Sequence, residues 1–123
     1  MLNLNSIMIG TQNPKELAAF YRKVFEKAPD MEEGGWSGWS VGNTFITIGE
    51  HSEVKGKAKE PQRVIFNFET EEVTEEFERI SKIDGATVIK EPYDMGGAWI
   101  ATISDPDGNY FQLMTPWEQD LKN

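Results

Sequence analysis

The order of the predicted secondary structure elements repeats once along the chain, and this repeat limits the possible folds more than any other feature of the sequence. Each half is patterned as a strand, a helix and three more strands. The halves also align, because a shift of 57 residues places Phe20 on Phe77. A larger shift places the turn Gly42-Asn43 on Gly108-Asn109, so the second half has a longer internal loop. The duplication predicts an α+β fold of two tandem βαβββ modules.

The first module, about residues 1–50, contains a strong helix signal. Asn13 is placed to cap the helix, Pro14 suits its first position and Glu16 completes a capping box. Apolar residues follow at helical spacing, and Pro29 predicts that the helix ends before it. The predicted strands of this module are residues 4–9, 34–41 and 44–48, with the Gly42-Asn43 turn between the last two.

The second module, about residues 62–117, follows a polar segment, residues 51–61, which has no apolar periodicity and is interpreted as a linker. Thr70 is predicted to cap its helix and Asp84-Gly85 to end it. Glu91-Pro92 is predicted to break the strand before it. The predicted strands are residues 63–68, 87–89, 99–104 and 110–114, and a type I turn at residues 105–108 joins the last two.

The composition excludes several classes of function. A formal net charge of −9 would repel a nucleic acid backbone and an anionic membrane surface. The chain has no cysteine, which excludes disulfides, iron–sulfur clusters and a thiol nucleophile and fits a reducing compartment. No apolar run reaches the length of a membrane span, and the N-terminus lacks a signal-peptide pattern. We therefore expect a cytoplasmic protein with neither a nucleic acid nor a membrane partner.

The most characteristic segment is Asp105–Leu113, DPDGNYFQL, in which a turn runs directly into an apolar strand. It resembles the closing hairpin of the glyoxalase/bleomycin-resistance/extradiol-dioxygenase superfamily, also called the vicinal oxygen chelate superfamily. The opening segment from Ser6 to Tyr21 resembles the first strand and helix of that family. The resemblance covers nearly the whole chain and implies a curled mixed sheet around a cleft. Many members dimerise, some by sharing modules between chains, so a homodimer is also implied.

The resemblance further implies where a metal would bind. Members that use a metal typically place His on the first strand and Glu on the last strand of each module, in a site left partly open for substrate. The matching positions in this chain are Ser6, Ile46, Arg63 and Gln112. None of them offers a carboxylate or an imidazole, and Arg63 adds a positive charge that would repel a cation. We therefore expect these ligand positions to be vacated, with no divalent metal and no other cofactor.

The polar residues at these positions, Ser6, Arg63 and Gln112, are candidates for contacting an organic ligand instead. If Arg63 faces inward, it can bind an anionic oxygen of the ligand or pair with a carboxylate of the chain. His51 is the only histidine. It is interpreted as a solvated loop residue, with a catalytic base as the alternative.

Aromatic residues expected to flank the cleft complete the candidate ligand site. They are Trp36, Trp39, Tyr93, Trp99 and Tyr110. Aromatic walls bind flat ligands well, although each of these side chains could instead fill the core or a dimer interface. The partner expected from these residues is a small organic ligand that is anionic or aromatic.

Three functional hypotheses follow from the sequence. The first is a metal-free small-molecule-binding protein with an aromatic-lined cleft. The second is a metal-dependent lyase, isomerase or dioxygenase with atypical ligands, and the third is a dimeric interaction or regulatory scaffold. The vacated ligand positions favour the first hypothesis. The residues leave open whether any reaction is catalysed, and they identify no catalytic group.

Overall fold

The computed structural model describes residues 1–117, and these divide into two compact units. The first unit is Met1–Lys57 and the second begins at Ala58. Each unit contains one helix and one four-stranded sheet in the predicted βαβββ order. No helix within residues 1–117 is both long enough and apolar enough to cross a membrane.

The first unit has the predicted βαβββ order, but one of its strands, residues 31–33, lies outside the segments predicted as strands. Its elements are β1 (Ser6–Thr11), α1 (Pro14–Phe25), β2 (Met31–Glu33), β3 (Trp36–Val41) and β4 (Thr44–Glu50). Across the sheet the strands are ordered β1-β4-β3-β2. β1 and β4 are parallel, whereas the other neighbours are antiparallel. The predicted turn at Gly42-Asn43 is confirmed between β3 and β4.

Helix α1 is held on the sheet by one apolar face. Its buried residues are Leu17, Phe20, Tyr21 and Val24. Their spacing of three and four residues places them in a single stripe, which packs against the sheet. Burying a side chain of this size contributes about 1.5–3 kcal/mol relative to leaving it exposed. This stripe fixes which face of the sheet is covered by the helix and which is left open.

The start of α1 is correctly predicted, but the predicted cap is not formed. Asn13 occupies the capping position, yet its side chain makes no cap hydrogen bond. Its backbone N–H donates instead to Oγ1 of Thr11 at 2.9 Å, and its carbonyl accepts from Leu17 N–H at 3.0 Å. The predicted capping by the side chains of Asn13 and Glu16 is therefore wrong. The backbone N–H of Asn13, which a capping box would bond to Glu16, donates to Thr11 Oγ1 at the end of β1 instead.

Asp30 anchors the short strand β2 to its neighbour β3. Its backbone N–H donates to the carbonyl of Gly38 at 2.8 Å. Its Oδ2 accepts from the backbone N–H of Ser40 at 2.8 Å and from Lys27 Nζ at 3.1 Å. The bond from Ser40 and the neighbouring Lys27 ammonium lower the pKa of the Asp30 carboxyl below its usual value.

The second unit repeats the same topology. Its elements are a short 3-10 helix (Pro61–Arg63), β5 (Phe66–Glu69), α2 (Val73–Ser81), β6 (Thr87–Asp94), β7 (Trp99–Ser104) and β8 (Tyr110–Met114). The strand order is β5-β8-β7-β6, with β5 and β8 parallel. β7 and β8 begin and end at the predicted residues.

Three predictions for the second unit are wrong. The first strand does not start at Arg63, because residues 61–63 form the 3-10 helix. Helix α2 is not capped by Thr70; Glu72 occupies the capping position, and Thr70 Oγ1 accepts its backbone N–H at 3.1 Å. Pro92 does not end β6, which continues through it with two register shifts. β6 lies at the sheet edge, where bulges and the missing N–H of proline are tolerated.

The turn between β7 and β8 is organised by one buried carboxylate. Asp105 is 2% exposed, and its Oδ1 accepts the backbone N–H groups of Asp107 and Asn109 at 2.9 and 3.0 Å. Its Oδ2 accepts from Asn109 Nδ2 at 3.0 Å. The bond from Gly108 N–H to the Asp105 carbonyl, 2.9 Å, closes the predicted turn.

Candidate functional site

The pairing register of the first sheet separates its two faces. Ile9 pairs with Ile48, and Ile46 pairs with Trp39. All four are buried. Paired residues in neighbouring strands project to the same face, and alternate residues project to opposite faces. These buried side chains therefore form the face that packs under α1, and their neighbours along each strand form the opposite, open face.

Two of the sequence-predicted site residues lie in this core. Ile46 is 3% exposed, so it faces the helix and not the side to which Ser6 projects. Trp39 is fully buried, with its Nε1 donating to the Lys27 carbonyl at 3.0 Å and its ring 5.6 Å from that of Phe25. Neither Ile46 nor Trp39 therefore lies on the open face, and for Trp39 this is the core-packing alternative. Both residues stabilise the packing of α1 on the sheet.

Three glycines leave the open face of the first sheet without β-carbons at three positions. Gly10 pairs with Gly49 across β1 and β4, and Gly38 lies on β3. A Cβ added to Gly49 would overlap the indole of Trp36. A Cβ added to Gly38 would lie 2.5 Å from the ring of Phe45. The absence of these Cβ atoms allows both aromatic rings to lie directly against the backbone of the sheet.

The two aromatic rings and three glycines of this face form a surface that we call the glycine platform, in which His51 lies over Gly10. It consists of Gly10, Trp36, Gly38, Phe45 and Gly49. Met31 Cε lies 3.3 Å from the position of a Gly38 Cβ, and exposed Met8 projects to the same face. Ser6, predicted from the sequence as a site residue, is exposed at the start of β1 on this face. The aromatic candidate Trp36 is thus placed on the open face, while Phe45 and the glycines were not anticipated.

A signal for the glycine platform was present in the sequence. Glycine in the interior of a strand marks a close approach of another group, and β3 and β4 each contain one such glycine, Gly38 and Gly49. That signal does not identify which aromatic ring covers which glycine. The covering ring depends on the strand register, and the register follows from tertiary packing.

The second sheet has a more polar open face. Phe111 and Leu113 are buried, so Gln112 between them projects to the open side. Gln112 pairs with Thr102, and its Nε2 donates to Thr102 Oγ1 at 3.1 Å. The register brings the predicted residues Tyr110, Gln112 and Tyr93 to one face. Lys90 Nζ lies 5.3 Å from the centre of the Tyr93 ring, a cation–π contact that orients both side chains.

Two other predicted site residues lie elsewhere. Arg63 was expected to face inward on the first strand of the second module, but it lies in the 3-10 helix with 74% of its side chain exposed. Its Nη2 contacts Glu60 Oε1 at 3.1 Å, an exposed ion pair of small energetic value. Trp99 alternates with Ile100 along β7 and therefore faces away from Tyr93. The Arg63 side chain was misplaced because the predicted strand began too early.

His51 follows β4 and is exposed. Its Nδ1 accepts the backbone N–H of Glu53 at 3.1 Å, and its backbone N–H donates to the Thr11 carbonyl at 3.1 Å. A Cβ on Gly10 would lie 2.9 Å from His51 Cβ, so the histidine lies close against β1. These contacts anchor the loop that follows β4. The alternative role of His51 as a catalytic base stays a prediction.

The open faces do not provide the donor set that metal-using relatives employ. On β1 and β4 the open-face side chains are Ser6, Met8, Phe45 and Thr47. On β5 and β8 they are Asn67, Glu69, Tyr110, Gln112 and Met114. Glu69 is the one carboxylate in these two sets, and neither contains an imidazole. Within residues 1–117 no group of three or more His, Cys, Asp or Glu side chains could hold a metal ion. A divalent ion does not fit these residues in the His and Glu manner of the family.

Comparison with known proteins gives the family. A sequence profile described as a glyoxalase-like domain matches residues 6–114. A glyoxalase/bleomycin resistance protein/dioxygenase family enzyme from Burkholderia phytofirmans PsJN is similar in structure, with 24% identity, a TM-score of 0.73, and coverage of 93% of this chain and 98% of that one. A glyoxalase-related enzyme from Fulvimarina pelagi has 15% identity and a TM-score of 0.76, covering 98% and 95%. No curated protein matches. The chain belongs to the glyoxalase-like domain family, within the glyoxalase/bleomycin-resistance/dioxygenase superfamily.

Proposed function

We propose that this protein binds a small, flat organic ligand on the glycine platform and does so without a metal ion. The observation that carries this proposal is the position of the Trp36 and Phe45 rings directly over Gly49 and Gly38. The missing β-carbons at these two glycines let the rings lie close to the sheet, and flat ligands bind to aromatic rings by stacking.

The side chains around the rings support this use of the surface. Met8 is 64% exposed, although it lies in the interior of β1 beside the central strand β4. Methionine adapts its shape to different apolar partners and makes favourable contacts with aromatic rings. An exposed methionine beside two aromatic rings is typical of a binding surface and adds little to the stability of the fold.

The exposed position of Arg63 bears on which charge a ligand of the glycine platform would carry. The sequence suggested an anionic or aromatic ligand, and the anionic alternative depended on Arg63 facing inward. Arg63 instead pairs with Glu60 at the surface, and the formal net charge of −9 disfavours anions. A neutral aromatic ligand therefore fits the glycine platform better than an anionic one.

The first test uses 2-naphthol as a neutral, flat probe. We expect saturable binding, with perturbed backbone amide signals of β3 and β4 in two-dimensional NMR spectra. Trp36→Ala and Phe45→Ala should each weaken 2-naphthol binding on the order of tenfold, because stacking energy and apolar contact area are both lost.

Trp99→Ala is the matched control, because Trp99 is 43% exposed but lies on the other unit. It should leave the affinity for 2-naphthol unchanged. If 2-naphthol shows no saturable binding, or if Trp99→Ala weakens binding as much as Trp36→Ala does, the glycine platform is not the binding surface.

Metal content separates this proposal from the metalloenzyme alternative. Elemental analysis of protein purified without chelators, before and after incubation with Zn²⁺, Ni²⁺, Mn²⁺ or Fe²⁺, is expected to find only trace metal. The reason is that the open-face positions of β1, β4, β5 and β8 lack the carboxylate and imidazole pairs that these ions require. A tightly held ion in a stoichiometric amount would reject metal-free binding and favour an enzyme with atypical ligands.

A further inference from the structure

A groove lies on the helix side of the first sheet, between α1 and the hairpin formed by β2 and β3. Its volume is about 690 Å³, within the range of pockets that bind small molecules. The glycine platform is on the opposite side of the same sheet, and Trp36, at the start of β3, contributes to both surfaces. The groove is therefore a separate candidate site within one unit.

The helix wall of the groove has two small residues between two cations. Lys15, Ala18, Ala19 and Arg22 line it. Their spacing of three, four and seven residues places them in one stripe along the helix. The two alanines leave room above the helix, and the long side chains of Lys15 and Arg22 lie one turn to either side. This wall combines an apolar centre with positive charge at both ends.

The opposite wall includes Glu32 and Glu33, and Glu33 pairs with Trp36, so only Glu32 projects toward the helix. Glu32 pairs with Ser37, and Ser37 pairs with Ile48, which is buried on the helix side of the sheet. Paired residues share a face, so the Glu32 side chain projects to the same side as α1. Asp30 N–H donates to the Gly38 carbonyl and Asp30 Oδ2 accepts from Ser40 N–H, and these two bonds tie the start of β2 to β3.

The charges of the two walls do not neutralise each other directly. Within residues 1–117, Lys15, Arg22 and Glu32 form no ion pair. In the first unit, opposite charges that lie close together do pair, as Lys27 does with Asp30 at 3.1 Å. The groove thus has two cations on one wall and a carboxylate on the other that are not paired with each other.

We propose that this groove binds a small zwitterionic ligand that spans the two walls. Its anionic group would contact Lys15 and Arg22, its ammonium group would contact Glu32, and its apolar body would lie on Ala18 and Ala19. A purely anionic ligand would be repelled by Glu32, and a purely cationic one would be repelled by Lys15 and Arg22. A ligand that carries both charges can form a favourable ionic contact with each wall.

Three probes with the same aromatic body test the charge requirement. They are 4-(aminomethyl)benzoate, which is zwitterionic, 4-methylbenzoate, which is anionic, and 4-methylbenzylamine, which is cationic. We expect saturable NMR perturbations at Ala18, Ala19 and Glu32 with the zwitterion, and affinities for the two singly charged probes about two- to fivefold weaker. Raising the salt concentration should weaken binding of the zwitterion.

Charge-removing variants test the same contacts from the protein side. Glu32→Gln and Arg22→Gln should each weaken binding of 4-(aminomethyl)benzoate about two- to fivefold, since each removes one exposed ionic contact. Lys23→Gln, on the same helix but not lining the groove, is the matched control and should have no effect. Phe45→Ala alters the opposite face and should also have no effect, so failure of this proposal is distinguishable from failure of the glycine platform. Equal affinities for the three probes, or unchanged binding in Glu32→Gln, would overturn the proposal.

Discussion

Replacement of Trp39 by alanine is expected to lower the free energy of unfolding by about 3–5 kcal/mol. Trp39 is fully buried between the sheet and α1, where its ring contacts that of Phe25. The substitution leaves a large cavity and also removes the donor to the Lys27 carbonyl. Urea unfolding followed by far-UV circular dichroism measures the change without relying on tryptophan fluorescence.

Trp117→Ala is the matched control for this measurement. Trp117 is 63% exposed, so its removal should change the free energy of unfolding by no more than about 0.5 kcal/mol. Trp39→Phe should lie between the two, because it keeps part of the ring volume but loses the hydrogen bond to Lys27. A loss below about 1 kcal/mol in Trp39→Ala would contradict the assignment of Trp39 to the core, since core truncations of this size cost several times more.

Replacement of Asp105 by alanine is expected to lower the free energy of unfolding by about 2–4 kcal/mol. The carboxylate accepts two backbone N–H groups and the Asn109 amide, and it is 2% exposed. Its removal leaves buried donors without partners in the turn that joins β7 to β8. Thermal and urea unfolding of the variant and the wild type measure the loss.

Asp84→Ala is a suitable control, because Asp84 is an exposed residue of a surface turn. Its effect should stay within about 0.5 kcal/mol. Asp105→Asn should be less harmful than Asp105→Ala, since one side-chain carbonyl oxygen can still accept from the backbone N–H groups of Asp107 and Asn109. If Asp105→Ala and Asp84→Ala are equally stable, the hydrogen bonds of Asp105 do not organise the turn.

The predictions that the structure confirms rest on local signals. The turn at residues 105–108 and the strands on either side of it begin and end where the sequence placed them. The Gly42-Asn43 turn and the start of α1 at Pro14 are also confirmed. In each case the signal is the chemistry of a few adjacent residues, such as proline at a first helical position.

The positions of the site residues were harder to predict from the sequence. They depend on which face of its strand each side chain occupies. β4 has β-branched or aromatic residues on both faces, with Phe45 and Thr47 alternating with Ile46 and Ile48. Alternation that is weak in sequence does not indicate which set faces the helix, and a shift of one residue exchanges the two faces. Ile46 was therefore matched to the open face, whereas Phe45 occupies it.

The length of an element also depended on its position in the sheet. Pro92 was predicted to break β6, yet the strand continues because it lies at an edge and contains two register shifts. The sequence does not reveal that β6 is an edge strand. The same kind of tertiary information was missing for Arg63, whose strand begins three residues later, at Phe66.

The sequence by itself determined the order of the elements, the duplication of the βαβββ module and the turns, because these depend on hydrophobic period and on the local chemistry of proline, glycine and aspartate. The tertiary structure decided which side chains are buried, which rings cover Gly38 and Gly49, and which charges line the groove. Those features depend on register and on the packing of α1 against the sheet, and both arise from contacts between residues that are distant in the chain.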